Sequence, residues 1–141
     1  MSTKIVSSWL RAVGYGLLAE IATILTIVVI VMAYRYAVAS GLSDAEYAAF
    51  GQRVGGIGGI VGGTLYTYLF ARLLMQRLTT RFIAHGLVVA LTAIAFSIAG
   101  SIAGHQGVPA GYLLASVLKL AAGALAGFLY SRSVSLNRNV V

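Results

Sequence analysis

From Ala12 onward the chain reads as long apolar runs broken by short polar connections. The runs near residues 12–34, 54–75, 82–104 and 108–130 each reach the roughly 20 residues that a helix needs to cross a hydrocarbon core of about 30 Å. Strings such as IATILTIVVIVMA are apolar all round, without the alternation over about 10 residues that a barrel strand shows. The pattern therefore predicts an all-α membrane protein of four transmembrane helices, with residues 1–141 forming one domain and the spans leaving no room for a soluble one. In the second span every fourth residue is glycine (Gly51, Gly55, Gly59, Gly63), and Thr67 and Ala71 continue the series. Acyl tails are as apolar as leucine, so membrane helices associate where small residues let backbones approach. This face is expected to be a packing interface.

The connections add detail. Ser43 followed three residues later by Glu46 has the form of a capping box, which predicts a helix starting at Asp44 and leading straight into the second span. The segment GHQGVPAG, before the fourth span, predicts a tight turn with Pro109 in the first helical turn. A shift of 60 residues lays the second span on the fourth, pairing Gly51 with Gly111, Gly63 with Gly123, Thr67 with Gly127 and Arg72 with Arg132. A shift of 70 pairs Arg11 with Arg81 and Gly16 with Gly86. Two helical hairpins related by a parallel repeat are the expected layout, with Gly111, Gly123 and Gly127 sharing the packing role of the second span's glycines.

Composition agrees with the pattern: 60% hydrophobic residues, 9% charged and a mean hydropathy of +0.93 exclude a water-soluble fold. The net charge of +7 changes meaning once it is placed on the spans. Lys4, Arg11, Arg72, Arg77, Arg81, Arg132 and Arg138 fall on one side, while Arg35 and Arg53 fall on the other, beside Asp44 and Glu46. The positive-inside rule then predicts cytoplasmic termini, in a bacterial inner membrane. The excess charge serves orientation and anionic headgroups rather than nucleic acid. The run after Arg11 exceeds the roughly 7–15 residues of a signal h-region and carries Glu20, so it is expected to be an uncleaved span. Trp9, Tyr15 and Tyr130 fall at one membrane boundary and Tyr34, Tyr36, Tyr47 and Tyr112 at the other, as an aromatic belt.

Chemistry concentrates in two residues. Glu20 and Lys119 are the charges that fall deep within spans, away from their ends, and each costs about 2.5–3.5 kcal/mol if it faces lipid at the centre. The two are expected to face each other. One reading makes them a titratable transport site, in which a carboxylate binds a cation or proton and the lysine tunes it; the other makes them a buried post that fixes which helices meet. Tyr66 and Tyr68, with Thr64, lie near mid-depth and are candidates to line a cavity or to pack with satisfied hydroxyls. His85 is expected at the interface, solvated. Arg72, Arg77 and Arg81 form a basic triplet suited to a lipid phosphate or a partner's acidic face, or simply to orientation. Catalysis finds no support, because the only acids are Glu20, Asp44 and Glu46, without HExxH or a Ser/His/Asp arrangement. No metal and no cofactor are expected; His85 and His105 stand at opposite ends of one span and do not suit a shared haem.

Each hairpin opens with an arginine five residues before a glycine (Arg11 to Gly16, Arg81 to Gly86) and closes on an arginine beside aromatics (FAR at Phe70 to Arg72, LYSR at Leu129 to Arg132). In this the chain resembles the GtrA-like proteins, which implies translocation of polyprenyl-linked sugars. The segment LLAEIAT around Glu20 resembles the first helix of small multidrug resistance transporters, which implies proton exchange for cationic drugs at that glutamate. The expected function is a small transporter or flippase-like protein for a lipid-linked or cationic solute. The alternative is a non-catalytic accessory or scaffold subunit of a larger membrane complex, docked through the second span's glycines. Expected partners are membrane lipids and either further copies of the chain or other membrane subunits.

Overall fold

The computed structural model describes residues 2–103 and 111–138. Helix α1, Ser2–Ala33, continues through a π-helical turn, Tyr34–Val38; α2 is Asp44–Met75, α3 Phe82–Ala103 and α4 Gly111–Arg138. All four are long and apolar enough to cross a membrane, so the chain is an integral membrane protein with an all-α bundle. The expected Pro109 turn and His105 lie outside the described residues.

The helices begin and end where local chemistry dictates. Ser43 Oγ accepts from the Glu46 amide at 3.4 Å, and Glu46 Oε2 accepts from the Ser43 amide at 2.8 Å, so the capping box forms and α2 runs unbroken from it. Tyr47 ties the preceding loop down: its hydroxyl donates to the Ala39 carbonyl at 2.7 Å and accepts from the amides of Gly41 and Leu42. Gly41 takes φ +99° there, a turn that only glycine adopts without strain. Tyr34 stacks on Phe50 with ring centroids 3.7 Å apart, and Arg35 reaches Asp44 at 3.4 Å. Helix thus extends well beyond the 12–34 and 54–75 spans, because caps and aromatic pairs sustain it outside the hydrocarbon.

Around the bundle the order is α1, α2, α4, α3: the helices of each hairpin pack together, α1 also lies on α3, and α2 on α4. Exchanging the two hairpins leaves this set of neighbours unchanged. Packing is uneven along the axis. The core of Ala12, Ala71, Leu74, Met75, Val89 and Ala126 closes the half nearer the termini, sealed by Tyr15, Tyr68, Phe82 and Tyr130. Small residues set the closest approaches there. Gly86 and Gly123 touch main chain to main chain, and a Cβ on Gly127 would stand 2.6 Å from Ile83 Cα.

The glycine series of α2 departs from expectation. Among the described residues Gly55 and Gly59 have nothing within 4 Å of where a Cβ would stand, and Gly51 only Val31 Cγ2 at 4.0 Å. Within the chain, α2 meets α1 through the adjacent glycines: a Cβ on Gly58 would come 2.9 Å from Ile27 Cγ1, and one on Gly62 3.6 Å from Thr23 Cγ2. The physical reason is rotation. Residues one place apart differ by about 100° around a helix of 3.6 residues per turn, so turning Gly58 and Gly62 onto α1 swings Gly55 and Gly59 toward α4, across a gap. Gly111 lies on the far side of that gap, with Ile60 Cδ1 3.9 Å from its would-be Cβ.

Candidate functional site

The gap is a cavity of about 180 Å³ in the half of the bundle away from the termini. Gly55, Gly56, Gly59 and Ile60 of α2 wall one side; Gly111, Tyr112, Ala115 and Ser116 of α4 wall the other; Glu20 and Lys119 lie at its deep end. From Gly55 to Ile60 the wall descends five residues, about 7.5 Å at 1.5 Å per residue.

Lys119 and Glu20 meet although they belong to helices that are not neighbours in the ring. Lys119 Nζ donates to Glu20 Oε2 at 2.6 Å and to Ser97 Oγ at 2.9 Å, and Ser97 Oγ donates to Glu20 Oε1. The three groups close a ring that joins α1, α3 and α4. Both charged side chains are nearly dry, at 5% and 9% exposed for Lys119 and Glu20, where an unpaired charge would carry most of its desolvation cost. Gly63 makes the lysine's route available: a Cβ there would stand 2.5 Å from Lys119 Cε. The second hairpin closes at the matching level through Gly86 and Gly123. In the first, Gly16 lies instead against Thr92 and the Val89 carbonyl of α3, and the lysine stem takes the space beside Gly63.

Three members of the site, Ser97, Tyr112 and Ser116, go beyond what sequence reasoning selects. A signal for Ser97 exists, since Gly86, Ala90, Ala93 and Ser97 recur at helical spacing along one stripe, and Gly86, Ala90 and Ala93 are buried. Of the two roles open to Tyr66 and Tyr68, the structure shows hydroxyls with partners. Tyr66 pairs its hydroxyl with Thr26 Oγ1 at 2.8 Å, and Tyr68 accepts from Arg72 at 3.1 Å, so neither borders the Glu20–Lys119 cavity. Tyr112, which the sequence places in the aromatic belt, does. Among the described residues its hydroxyl and that of Ser116 are the uncommitted polar groups that the cavity offers a solute.

His85 corrects another expectation. It is buried at 3% exposure, stacked on Trp9 with ring centroids 4.1 Å apart, with Nδ1 2.9 Å from the Arg81 carbonyl and Nε2 3.2 Å from Ser8 Oγ. An indole on the facing helix replaces the water that an interfacial imidazole would have met. Arg81 holds its carbonyl in place from a left-handed backbone, φ +56°. Arg72, Arg77 and Arg81 are all exposed. Among the described residues no group of three or more potential metal ligands occurs.

Comparison with protein-family models, curated proteins and solved structures finds no match. The site therefore has to be read from its own chemistry.

A chain without cysteine allows access to be measured one position at a time. Ser116→Cys in proteoliposomes is expected to react with a membrane-impermeant maleimide, and Ala126→Cys, in the sealed half, to stay unlabelled. Equal labelling of the two positions would show that the cavity is not the water-accessible part of the molecule.

Proposed function

We propose that the protein is a small transporter or flippase-like protein for a lipid-linked or cationic solute, with Glu20 and Lys119 as its polar site. One observation carries this reading: the buried charge pair is not sealed within the bundle but forms the floor of a glycine-walled cavity. A post that only fixed helix pairing needs no space beside it, whereas a site for a solute does. The sealed core below the pair supports an arrangement open toward one face only, as alternating access requires of each of its states. Seven basic residues on the side of the termini support cytoplasmic termini by the positive-inside rule; on that reading the cavity opens away from the cytoplasm of a bacterial inner membrane.

A second reading, the accessory subunit, draws on Gly55, Gly56 and Gly59, which meet nothing among the described residues; Gly56 is exposed, and its side of α2 would admit a helix of a second copy or another subunit. Proteoliposomes separate the two. Protein alone is expected to accelerate either ethidium uptake under a pH gradient or dithionite bleaching of a flipped NBD-lipid, and Glu20→Gln to abolish that flux while leaving the helical circular dichroism intact. No flux in either assay from folded protein, together with a stably copurifying subunit, would favour the accessory reading.

A further inference from the structure

A second hollow runs down the same α2–α4 seam toward the termini. It is an apolar groove of about 590 Å³ lined by Ile60, Leu65 and Tyr68 of α2 and Leu118, Ala122 and Leu125 of α4, among others. It shares Ile60 with the charged cavity. One helical turn beyond Tyr68 stands Arg72, which gives one hydrogen bond to the Tyr68 hydroxyl and borders a small hollow with Ala126, Leu129, Tyr130 and Ser133. Four of a guanidinium's five N–H donors are left for another partner.

We infer that this seam seats one anionic phospholipid from the leaflet on the side of the termini, its acyl chain in the groove and its phosphate on Arg72. The dimensions fit one leaflet: Ile60 to Arg72 is twelve residues, about 18 Å of helix, against about 15 Å for half of a 30 Å hydrocarbon core. The charge is complementary and uncontested. The chain's acidic side chains are Glu20, Asp44 and Glu46; the first is paired with Lys119 and the other two lie at the opposite end, so no acidic side chain competes for Arg72. The Tyr130 hydroxyl, which makes no hydrogen bond among the described residues, borders the same hollow and supplies a further donor. Arginine grips a phosphate through two parallel N–H···O bonds, while alanines at 121 and 122 keep the α4 side of the groove shallow enough for a chain to lie in it. The lipid stands independently of the transport reading, since the groove and Arg72 lie outside the charged cavity.

Native mass spectrometry of delipidated protein tests this with phosphatidylglycerol, diacylglycerol of the same chains, and inorganic phosphate as separate probes. Phosphatidylglycerol is expected to saturate at one molecule per chain, with diacylglycerol and phosphate each much weaker. Arg72→Ala should weaken phosphatidylglycerol about tenfold, the scale of one lost charge-assisted contact. Arg72→Gln, which keeps a donor for Tyr68, should do the same, and Ala121→Trp, which fills the groove, should also displace the lipid. Arg77→Ala, off the seam, should bind as the parent does. Equal retention of diacylglycerol, an Arg77→Ala effect as large as that of Arg72→Ala, unchanged binding in Ala121→Trp, or a lipid-free dimer in place of the lipid complex would each overturn the assignment.

Discussion

Lys119→Met is expected to destabilise the fold by about 3–5 kcal/mol, the range found when one partner of a buried ion pair is removed and the other is left without compensation. The loss arises from Glu20. Its carboxylate would keep only the Ser97 hydroxyl, in a site where it is 9% exposed. Replacing both charges, as in Glu20→Leu with Lys119→Met, should recover most of that stability, because exchanging a buried pair for apolar groups of similar volume is often neutral or favourable. The measurement is an unfolding titration in mixed micelles, with flux in proteoliposomes followed on the same preparations. A stable but inactive double variant would assign the pair to function. If Lys119→Met unfolds no more easily than the parent, the two groups are not dry and the premise of a buried pair fails.

Gly86→Ala and Gly123→Ala are expected to cost about 1–3 kcal/mol each, the usual penalty for overpacking, and Gly55→Ala and Gly59→Ala to be neutral or to gain up to about 1 kcal/mol from reduced backbone freedom. The contrast follows from what a methyl group would meet. At Gly86 it would meet the Gly123 carbonyl and at Gly123 the Gly86 carbonyl, main-chain atoms that move only if α3 and α4 separate; at Gly55 and Gly59 it would meet no atom of the described residues. Thermal unfolding of the four single variants decides the matter. The opposite order, with Gly55 and Gly59 sensitive and Gly86 and Gly123 tolerant, would mean that the second helix and not the fourth holds the bundle together.

The bundle is legible in the sequence because lipid imposes its constraints on every residue of a span: length, apolarity and the cap at Ser43 each act locally, and each is visible in one dimension. The meeting of Glu20 with Lys119 is legible too, since a charge in hydrocarbon needs a partner and each has one plausible choice. What stays hidden depends on how each helix is rotated about its axis. Gly55 and Gly58, three residues apart, differ by only about 60° around the helix, and glycine occupies 55 and 59 as well as 58 and 62, so composition does not decide which pair faces α1. Ser97 is hidden for a related reason: a serine in a membrane helix ordinarily satisfies itself on its own backbone, and only the arrival of Lys119 from another helix gives it different work. Trp9 settles the fate of His85 from another helix, across a separation along the chain that no local signal spans.

The α3–α4 and α2–α4 contacts are built by different means. Where α3 and α4 interlock through Gly86 and Gly123, sliding requires peptide groups to pass one another; where α2 faces α4 near Gly59, only a lysine stem and empty volume intervene. Main chain thus fixes the spacing of α3 and α4, whereas the spacing of α2 and α4 is set by side chains.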